Sequence, residues 1–398
     1  MNEGSHEFLD NGSLPPPEAA ALEHSRRLCD RVREEIETCG GAISFRRYME
    51  MALYEPGLGY YSAGARKFGP AGDFTTAPEL SDLYSRCIAR QCEEIIAGCN
   101  DAFIMELGAG SGAMASAVLT QLEQRGCLPQ QYLILETSAD LRQRQQQLLA
   151  ANHADYYSRI VWLDRLPSQA FEGVILASEV VDALPVHRIV FEADRIWELS
   201  VVCESGNFTC KKTTPEASLL AHAQKLRDDL GLAVPASYTT EINPELEAWL
   251  ASICAPLQRG VMLIIDYGYP RREYYHPQRC NGTLKCHYRH RVHDDPFFYP
   301  GLQDITASVD FTGVALAAVA AGLDVAGYTT QAYFLIACGL GEMLNDDADE
   351  YTRLQRTQQA KLLTLPGEMG EQFKAIALGK NYPHPLRGFS VNDQRSRL

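Results

Sequence analysis

The sequence has no excess of positive charge, no apolar run of membrane length and no closely spaced cysteine pair. Its 398 residues carry a formal net charge of −15, which argues against a general nucleic-acid binder because phosphate attraction requires a basic surface. No stretch of about 20 apolar residues occurs, so a membrane-spanning helix is not expected. Residues 1–17 lack a basic amphipathic pattern and an apolar core, and we therefore expect no signal or transit peptide.

The cysteines are scattered rather than paired. There are twelve of them, and no two form a C-x-x-C motif. In a long chain with 46% hydrophobic residues, this distribution indicates reduced thiols and a cytoplasmic protein rather than a disulfide-stabilised one. The chain is long enough for one large domain or two ordinary domains.

The stretch at residues 103–112 organises the rest of the chain. It reads Phe-Ile-Met-Glu-Leu-Gly-Ala-Gly-Ser-Gly, an apolar run that ends in an acidic residue and is followed by a glycine-rich turn. Residues 113–122 then carry apolar side chains at helical spacing. A strand, a glycine turn and a helix in this order let the backbone approach a nucleotide-like ligand closely.

Glu106 decides which ligand this turn favours. Gly108, Gly110 and Ala113 fit the dinucleotide pattern G-x-G-x-x-G/A, but a carboxylate at position 106 would repel a pyrophosphate. The same carboxylate would attract the ammonium and sulfonium groups of S-adenosylmethionine (SAM). Glu106, Gly108, Gly110 and Gly112 therefore predict a SAM site, with glycines leaving room against the backbone. The alternatives are an NAD site and a tight turn that binds nothing.

Two later strands end in carboxylates. Residues 131–136 predict a second buried strand that ends at Glu136, where one carboxylate can bind both hydroxyls of a ribose. Alternatively, Glu136 caps the helix that begins near Ser138. Residues 160–164 predict a third strand, and Asp164 could accept a hydrogen bond from the adenine amine; alternatively, this aspartate is simply solvated.

The fourth strand, residues 173–177, leads into the stretch Ser-Glu-Val-Val-Asp-Ala-Leu-Pro-Val-His-Arg at residues 178–188. In a sheet of this order, the carboxyl end of that strand faces the transferable methyl group. Glu179 and Asp182 are therefore candidates for holding and deprotonating an acceptor guanidinium. His187 is the third catalytic candidate in this stretch. The alternative is that Asp182 caps a helical turn and Glu179 pairs with Arg188.

A long irregular loop at residues 68–79 precedes a predicted helix at residues 81–97. A loop of this length in a compact domain is usually functional. Asp73 and Thr75 are candidate cofactor-binding residues, and Thr76 and Glu79 could also point into the pocket. The alternative is a lid that is held only by packing.

Strands that alternate with helices at this spacing predict an open, mainly parallel α/β sheet. We expect a flexible tail at residues 1–17 and a helical and lid segment at residues 18–100. The core is expected at residues 101–188 and 237–398, with a smaller α+β subdomain inserted at residues 189–236. After a strand at residues 324–329, the chain is expected to be largely helical.

A metal site is an alternative for the polar and aromatic region at residues 267–310. Five potential ligands lie there: Cys280, Cys286, His287, His290 and His293. Their spacings match no standard zinc pattern. We therefore expect no metal and interpret this region as a wall of the substrate site.

Seven stretches together resemble the MidA family of SAM-dependent methyltransferases. The resemblance covers nearly the whole chain from about Ile43. The stretches that carry it are Tyr-Glu-Pro-Gly-Leu-Gly-Tyr-Tyr at 54–61, Gly-Asp-Phe-Thr-Thr-Ala-Pro-Glu at 72–79, Glu-Leu-Gly-Ala-Gly-Ser-Gly at 106–112, Glu-Val-Val-Asp-Ala-Leu-Pro-Val-His at 179–187, Asp-Tyr-Gly-Tyr at 266–269, Gly-Thr-Leu at 282–284, and Asp-Ile-Thr with Val-Asp-Phe at 304–311.

This resemblance implies a class I SAM-methyltransferase (Rossmann-like) fold with an added subdomain. In the mitochondrial members it implies arginine dimethylation of a complex I subunit, so a protein substrate of that type is the expected partner. The chain departs from the family pattern in two ways: Ser178 stands where many members have asparagine, and the start lacks a mitochondrial address. The second departure argues against the mitochondrial substrate and favours a bacterial member. The competing hypothesis is a non-catalytic assembly or interaction protein that retains a SAM-binding fold. The oligomeric state is not predicted.

Overall fold

The computed structural model describes residues 14–62, 75–231, 237–344 and 349–398. Its strands are β1 (Ile43–Ser44), β2 (Phe103–Leu107), β3 (Gln131–Leu135), β4 (Ile160–Leu163), β5 (Phe171–Ser178), β6 (His187–Phe191), β7 (Ile196–Glu204), β8 (Asn207–Thr213), β9 (Tyr238–Ile242), β10 (Leu257–Tyr269), β11 (Lys285–Tyr288), β12 (Arg291–His293), β13 (Asp304–Thr306), β14 (Val309–Asp310), β15 (Asp324–Thr330) and β16 (Phe373–Lys380).

The helices connect these strands and cover the sheets. They are α1 (Ala19–Thr38), α2 (Phe45–Tyr54), α3 (Ala77–Leu80), α4 (Asp82–Ala97), α5 (Ala113–Gln124), α6 (Ala139–Asn152), α7 (Ala217–Leu230), α8 (Leu246–Cys254), α9 (Arg271–Tyr274), α10 (Phe311–Ala320), α11 (Gln331–Ala337), α12 (Leu340–Met343), α13 (Glu350–Thr364) and α14 (Met369–Gln372). Among the described residues, none of these helices combines the length and the apolar character that a membrane span requires.

The largest sheet has the strand order β15-β16-β10-β5-β2-β3-β4, with β14 paired to β10. Strands β4, β3, β2, β5 and β10 are mutually parallel. The chain starts the sheet at β2 and builds outward first through β3 and β4, then on the other side through β5 and β10. The order therefore reverses between β2 and β5, and such a switch point opens a crevice at the carboxyl ends of the strands. This is the open, mainly parallel α/β sheet that the sequence predicts.

One strand of this sheet contradicts the expectation that the chain after residue 329 is largely helical. Residues 373–380 form β16, which lies between β10 and β15 and is antiparallel to both. The segment Phe-Lys-Ala-Ile-Ala-Leu-Gly-Lys is short, and its centre is buried on both faces. A short, wholly buried strand shows no two-residue alternation of polar and apolar residues, so periodicity cannot separate it from a buried helix.

Helices cover both faces of the large sheet. One core joins the sheet to α4, α5 and α11, and the other joins it to α8 and α10. Two of these helices begin within one residue of the predicted position, α4 at Asp82 and α5 at Ala113. Burial of these apolar faces, at about 25 cal/mol per Å² of apolar surface, fixes the helices on the sheet.

A second sheet contains the strands of the predicted inserted subdomain but extends beyond that subdomain. Its order is β1-β7-β6-β9, with β8 paired to β7, so β1 from the amino-terminal segment and β9 after residue 236 both belong to it. A small third sheet has the order β12-β11-β13. Helices α1 and α2 pack in a separate core with residues of β7, β11 and β13. The amino-terminal segment is therefore fastened to the insertion and to the region after β10.

Candidate active site

A cavity of about 310 Å³ lies at the carboxyl ends of β2, β3 and β5, where the strand order reverses. Pockets for small ligands typically begin at about 300 Å³. The polar side chains that line it are Tyr54, Tyr61, Thr76, Glu79, Glu106, Ser111, Glu136, Thr137, Ser178, Glu179, Asp182 and Asp304. An apolar part of its wall comes from Leu135, Leu141, Leu184, Trp249 and Ile253.

The glycine turn forms the floor of this cavity. Gly108, Gly110 and Gly112 have φ values of 61°, 54° and 87°, a left-handed conformation that side chains disfavour. Gly108 and Gly110 line the cavity, whereas Gly112 does not. Gly112 instead starts α5, and a Cβ atom there would lie 3.4 Å from the side chain of Gln145. The three glycines thus serve two different purposes, a bare floor and a close helix contact.

Glu106, the penultimate residue of β2, is a buried carboxylate beside this turn. Its Oε2 accepts a hydrogen bond of 2.6 Å from the hydroxyl of Tyr132. Burial raises the pKa of Glu106 to about 7, although the Tyr132 hydrogen bond opposes the shift. A cation in the cavity would favour the ionised carboxylate.

Glu136 follows β3 and is also buried. Its Oε1 accepts from the Ser138 amide at 2.9 Å, and its Oε2 accepts from the Gln145 side chain at 3.0 Å. The Gln145 amide also donates to the Gly110 carbonyl at 2.8 Å. The cap of α6 is Ser138, whose hydroxyl accepts from the Leu141 amide at 3.4 Å. Glu136 only positions this residue, and it lines the cavity.

Asp266, within β10, holds the turn that follows β5. One carboxylate oxygen accepts from the amides of Val180, Val181 and Asp182 at 3.2, 2.9 and 3.2 Å. Glu179, at the start of this turn, has a φ of 54°, which is a strained conformation for a residue with a side chain. The hydrogen bonds from the neighbouring amides to Asp266 stabilise this strained backbone. In this conformation Glu179 lines the cavity.

The acids on this side of the cavity crowd one another. Burial, together with the charges of Asp266 and Asp304, raises the pKa of Glu179 to about 8. The pKa of Asp182 lies well above its usual range, because the carboxyl is buried and because Asp266, Asp304 and Glu179 surround it. The buried Oδ1 of Asp182 has no hydrogen-bond partner among the described residues. A buried oxygen without a partner is costly, and a cationic ligand would remove that cost.

The structure also brings residues to the cavity that the sequence did not select. Tyr54 donates to the Ala183 carbonyl at 2.9 Å, and Tyr61 donates to the Asp304 carboxylate at 3.0 Å. The two tyrosine rings are stacked, with centroids 5.5 Å apart. All three residues belong to stretches that carry the family resemblance, and this is the signal that could have identified them. Because Tyr61 and Asp304 are far apart along the chain, their contact could not be predicted from the sequence.

Several predicted site residues do not join the cavity. Asp164 is 86% exposed and pairs with Arg142 at 2.7 Å, as the solvated alternative proposed. His187 lies in β6, where its Nδ1 is 2.7 Å from Glu198, and it does not line the cavity. Thr75 is exposed, while its neighbour Thr76 lines the cavity. Asp73 lies outside the described residues.

The region from Cys280 to His293 is organised by strands. Cys286 in β11 faces His293 in β12 across an antiparallel pair. Within the part of the chain that the structure describes, no three His, Cys, Asp or Glu side chains are grouped as a metal site. All twelve cysteines are free thiols.

Six carboxyl-bearing residues around one cavity, above a bare glycine floor, form a site suited to cations. The sequence profile of the Methyltransf_28 family, whose members are S-adenosyl-L-methionine-dependent methyltransferases, matches residues 87–329. The chain belongs to this family. SAM is therefore its cofactor, and the matched segment contains the glycine turn and the β5 turn.

Several known proteins are similar to this methyltransferase over most of its length. A COG1565 superfamily member from Burkholderia thailandensis, whose crystal structure is bound to S-adenosyl-homocysteine, is 40% identical, with a TM-score of 0.92 over 97% of this chain and 100% of that one. The mitochondrial protein arginine methyltransferase NDUFAF7 of Danio rerio is 28% identical over 85% of this chain and 83% of its own. The Drosophila melanogaster homologue of NDUFAF7 is 27% identical over 94% of this chain and 91% of its own.

Proposed function

We propose that this methyltransferase transfers a methyl group from SAM to a guanidino nitrogen of an arginine in another protein. The observation that carries the proposal is the buried Oδ1 of Asp182, which lacks a hydrogen-bond partner among the described residues and belongs to a side chain that lines the cavity. A guanidinium offers five N–H donors in a planar arrangement that suits carboxylates. The curated relatives named above as arginine methyltransferases support this choice of acceptor.

In this proposal the cofactor occupies the end of the cavity near β2 and β3. Gly108 and Gly110 leave backbone space for its methionine part, and Glu106 supplies negative charge for its cationic groups. Glu136 accepts from the ribose hydroxyls. The apolar wall around Trp249 and Ile253 offers a surface for the adenine ring, whereas Asp164, the candidate for a hydrogen bond to the adenine amine, lies outside the cavity lining.

Glu179 and Asp182 serve the acceptor in this mechanism. SAM supplies a methyl group whose bond to sulfur breaks, with the electron pair remaining on sulfur, while a bond to the acceptor nitrogen forms. That nitrogen must lose one proton, and Asp182 or Glu179 accepts it. A carboxylate whose pKa is raised is a stronger base than an ordinary one. Most of the remaining catalysis comes from positioning the two reactants in line.

The test is incubation of the full chain with methyl-labelled SAM and a proteome extract, followed by acid hydrolysis and amino-acid analysis. The expected result is labelled methylarginine. Label in methyllysine would overturn the choice of acceptor. If SAM binds but no protein is labelled, the non-catalytic interaction protein becomes the better account.

The partner and the location are narrower proposals. A respiratory complex I-type subunit is proposed as the protein substrate, on the strength of the family resemblance. A bacterial cytoplasmic location is proposed from the free thiols, although the named relatives are mitochondrial. Mass spectrometry of the labelled band would identify the substrate, and fractionation of the source cells would test the location.

A further inference from the structure

The acceptor side of the cavity includes a carboxyl group from outside the β5 turn. Asp304, the first residue of β13, is 3% exposed and lines the cavity together with Asp182. The Ala307 amide donates to the Asp182 carbonyl at 3.0 Å, which ties the segment after β13 to the β5 turn. Two buried carboxyl groups thus face one space from segments that are far apart in sequence.

A tyrosine pair connects the same two segments on the other side. Tyr61 donates to the Asp304 Oδ2 atom at 3.0 Å, and Tyr54 donates to the Ala183 carbonyl at 2.9 Å. The rings are stacked with an interplanar angle of 21°. Burial and then the charge of Asp304 raise the pKa of both tyrosines, so their hydroxyl groups remain neutral donors. The Asp304 carboxylate is consequently held in one orientation.

We propose that Asp304 is the second carboxylate of an acceptor subsite, opposite Asp182, and that Tyr61 is a positioning residue that orients Asp304 toward an incoming guanidinium. This inference rests on the proposed function and names the residues that recognise its substrate. A planar guanidinium can contact carboxylates at two edges and lie against aromatic rings, whereas an ammonium is a compact and strongly hydrated charge. The subsite therefore selects arginine over lysine.

The test uses the full chain saturated with S-adenosyl-homocysteine. The probe is Nα-acetyl-arginine methylamide, with the matching lysine compound for comparison, and the Kd is measured by calorimetry or NMR titration. Asp304→Asn should raise the Kd of the arginine probe about tenfold or more, because it removes a charged acceptor without changing volume. Tyr61→Phe should raise the Kd about threefold to tenfold. Binding of S-adenosyl-homocysteine should be unchanged.

Tyr48→Phe is the matched control. The Tyr48 hydroxyl donates to the Pro296 carbonyl at 2.7 Å, and this tyrosine does not line the cavity. The double variant Tyr61→Phe/Asp304→Asn separates orientation from mere support of the fold. If Tyr61 acts through Asp304, the double variant binds no more weakly than Asp304→Asn alone. Fully additive losses would overturn the positioning role.

The outcomes also separate this inference from the proposed function. Wild-type affinity for the arginine probe in Asp304→Asn overturns the subsite, and so does methylarginine formation by that variant at the wild-type rate. If the wild-type enzyme forms no methylarginine from labelled SAM and proteome extract, the proposed function itself fails. Should Asp304→Asn not fold, the Kd of Tyr61→Phe decides for or against the subsite, since this variant removes a single oxygen at the edge of the cavity.

Discussion

The proposed cofactor end and the proposed acceptor end of the cavity are built in different ways. The cofactor end comes from β2, the glycine turn and the end of β3, so Glu106, Gly108, Gly110 and Glu136 lie within about 30 consecutive residues, as in other βαβ units. The acceptor end combines Tyr61, Glu179, Asp182 and Asp304 from widely separated segments. A local motif therefore forms one end, while the packing of the amino-terminal segment and of β13 onto the core forms the other.

The two ends also differ in the hydrogen bonds and the pKa shifts of their carboxyl groups. At the cofactor end, Glu106 and Glu136 accept hydrogen bonds from Tyr132, Ser138 and Gln145. At the acceptor end, burial and the charge of Asp266 raise the pKa of both Glu179 and Asp182, and Asp182 retains an oxygen without a partner among the described residues. The first end is thus organised before its ligand arrives. The second contains carboxyl groups whose ionised forms are disfavoured until a cationic ligand binds.

Removing the bare floor should produce the largest effect. Gly110→Val adds a branched side chain to a residue with a φ of 54° that lines the cavity, and it should lower SAM affinity about hundredfold or more, beyond detection by calorimetry. Gly126→Val is the control, because Gly126 has a φ of 68° but nothing within 4 Å of its Cβ position. Normal SAM binding by folded Gly110→Val would contradict a cofactor site there.

Asp182→Asn should separate the two ends. The amide cannot accept the acceptor's proton, and methyl transfer should fall about hundredfold to thousandfold. SAM affinity should change less than about twofold, since the residue belongs to the acceptor end. Transfer is measured with labelled SAM and extract, and affinity by calorimetry. Asp164→Asn, at an exposed aspartate, is the control. If Asp182→Asn lowered SAM affinity as much as methyl transfer, the division of the cavity into a cofactor end and an acceptor end would be wrong.

Glu106→Gln should have a smaller effect, of about tenfold on SAM affinity. The pKa of Glu106 is about 7, so the wild-type affinity should rise several-fold between about pH 5.5 and 7.5 as the carboxylate ionises. The SAM ammonium remains largely protonated over this range. The variant should lose this pH dependence, whereas Glu123→Gln, at an exposed position of α5, should keep it. If the SAM affinity of the wild type did not change with pH, Glu106 would not be the group that recognises the positive charge of SAM.

His187→Gln should have the smallest effect on methyl transfer, less than about twofold, because His187 does not line the cavity. Its effect should be on stability. Burial lowers the pKa of His187, but hydrogen bonds to Glu198 and Glu245 outweigh burial and raise it to about 9. Stability from this pairing is present below about pH 6.5, the unfolded value, and is lost as pH rises through about 9.

The measurement for His187→Gln is denaturant unfolding at several pH values. The variant should be less stable than the wild type by about 1–3 kcal/mol near pH 6, and the difference should shrink at the alkaline end. A large loss of methyl transfer with unchanged stability would restore His187 as a catalytic candidate.

Much of the large sheet could be predicted from the sequence. Strands β2, β3, β4, β5, β10 and β15 and the helices between them follow from apolar runs, alternation and capping residues, which are properties of neighbouring residues. The strand β16 could not be predicted, because its residues are buried on both faces in a position set by β10 and β15. The sequence also could not predict that β1 and β9 join one sheet, because strands that are far apart along the chain are brought together only by tertiary packing.

The sequence by itself determined the cofactor end: the order of strand, glycine turn and helix, with Glu106 and Glu136 at strand ends, requires only local chain geometry. Only the tertiary structure decided which further residues line the proposed acceptor end. It brought Tyr54, Tyr61 and Asp304 to the cavity and kept Asp164 and His187 away from it. The physical reason is that a side chain's partners across a cavity depend on how distant segments pack, and the hydrophobic contacts that pack them are not directional.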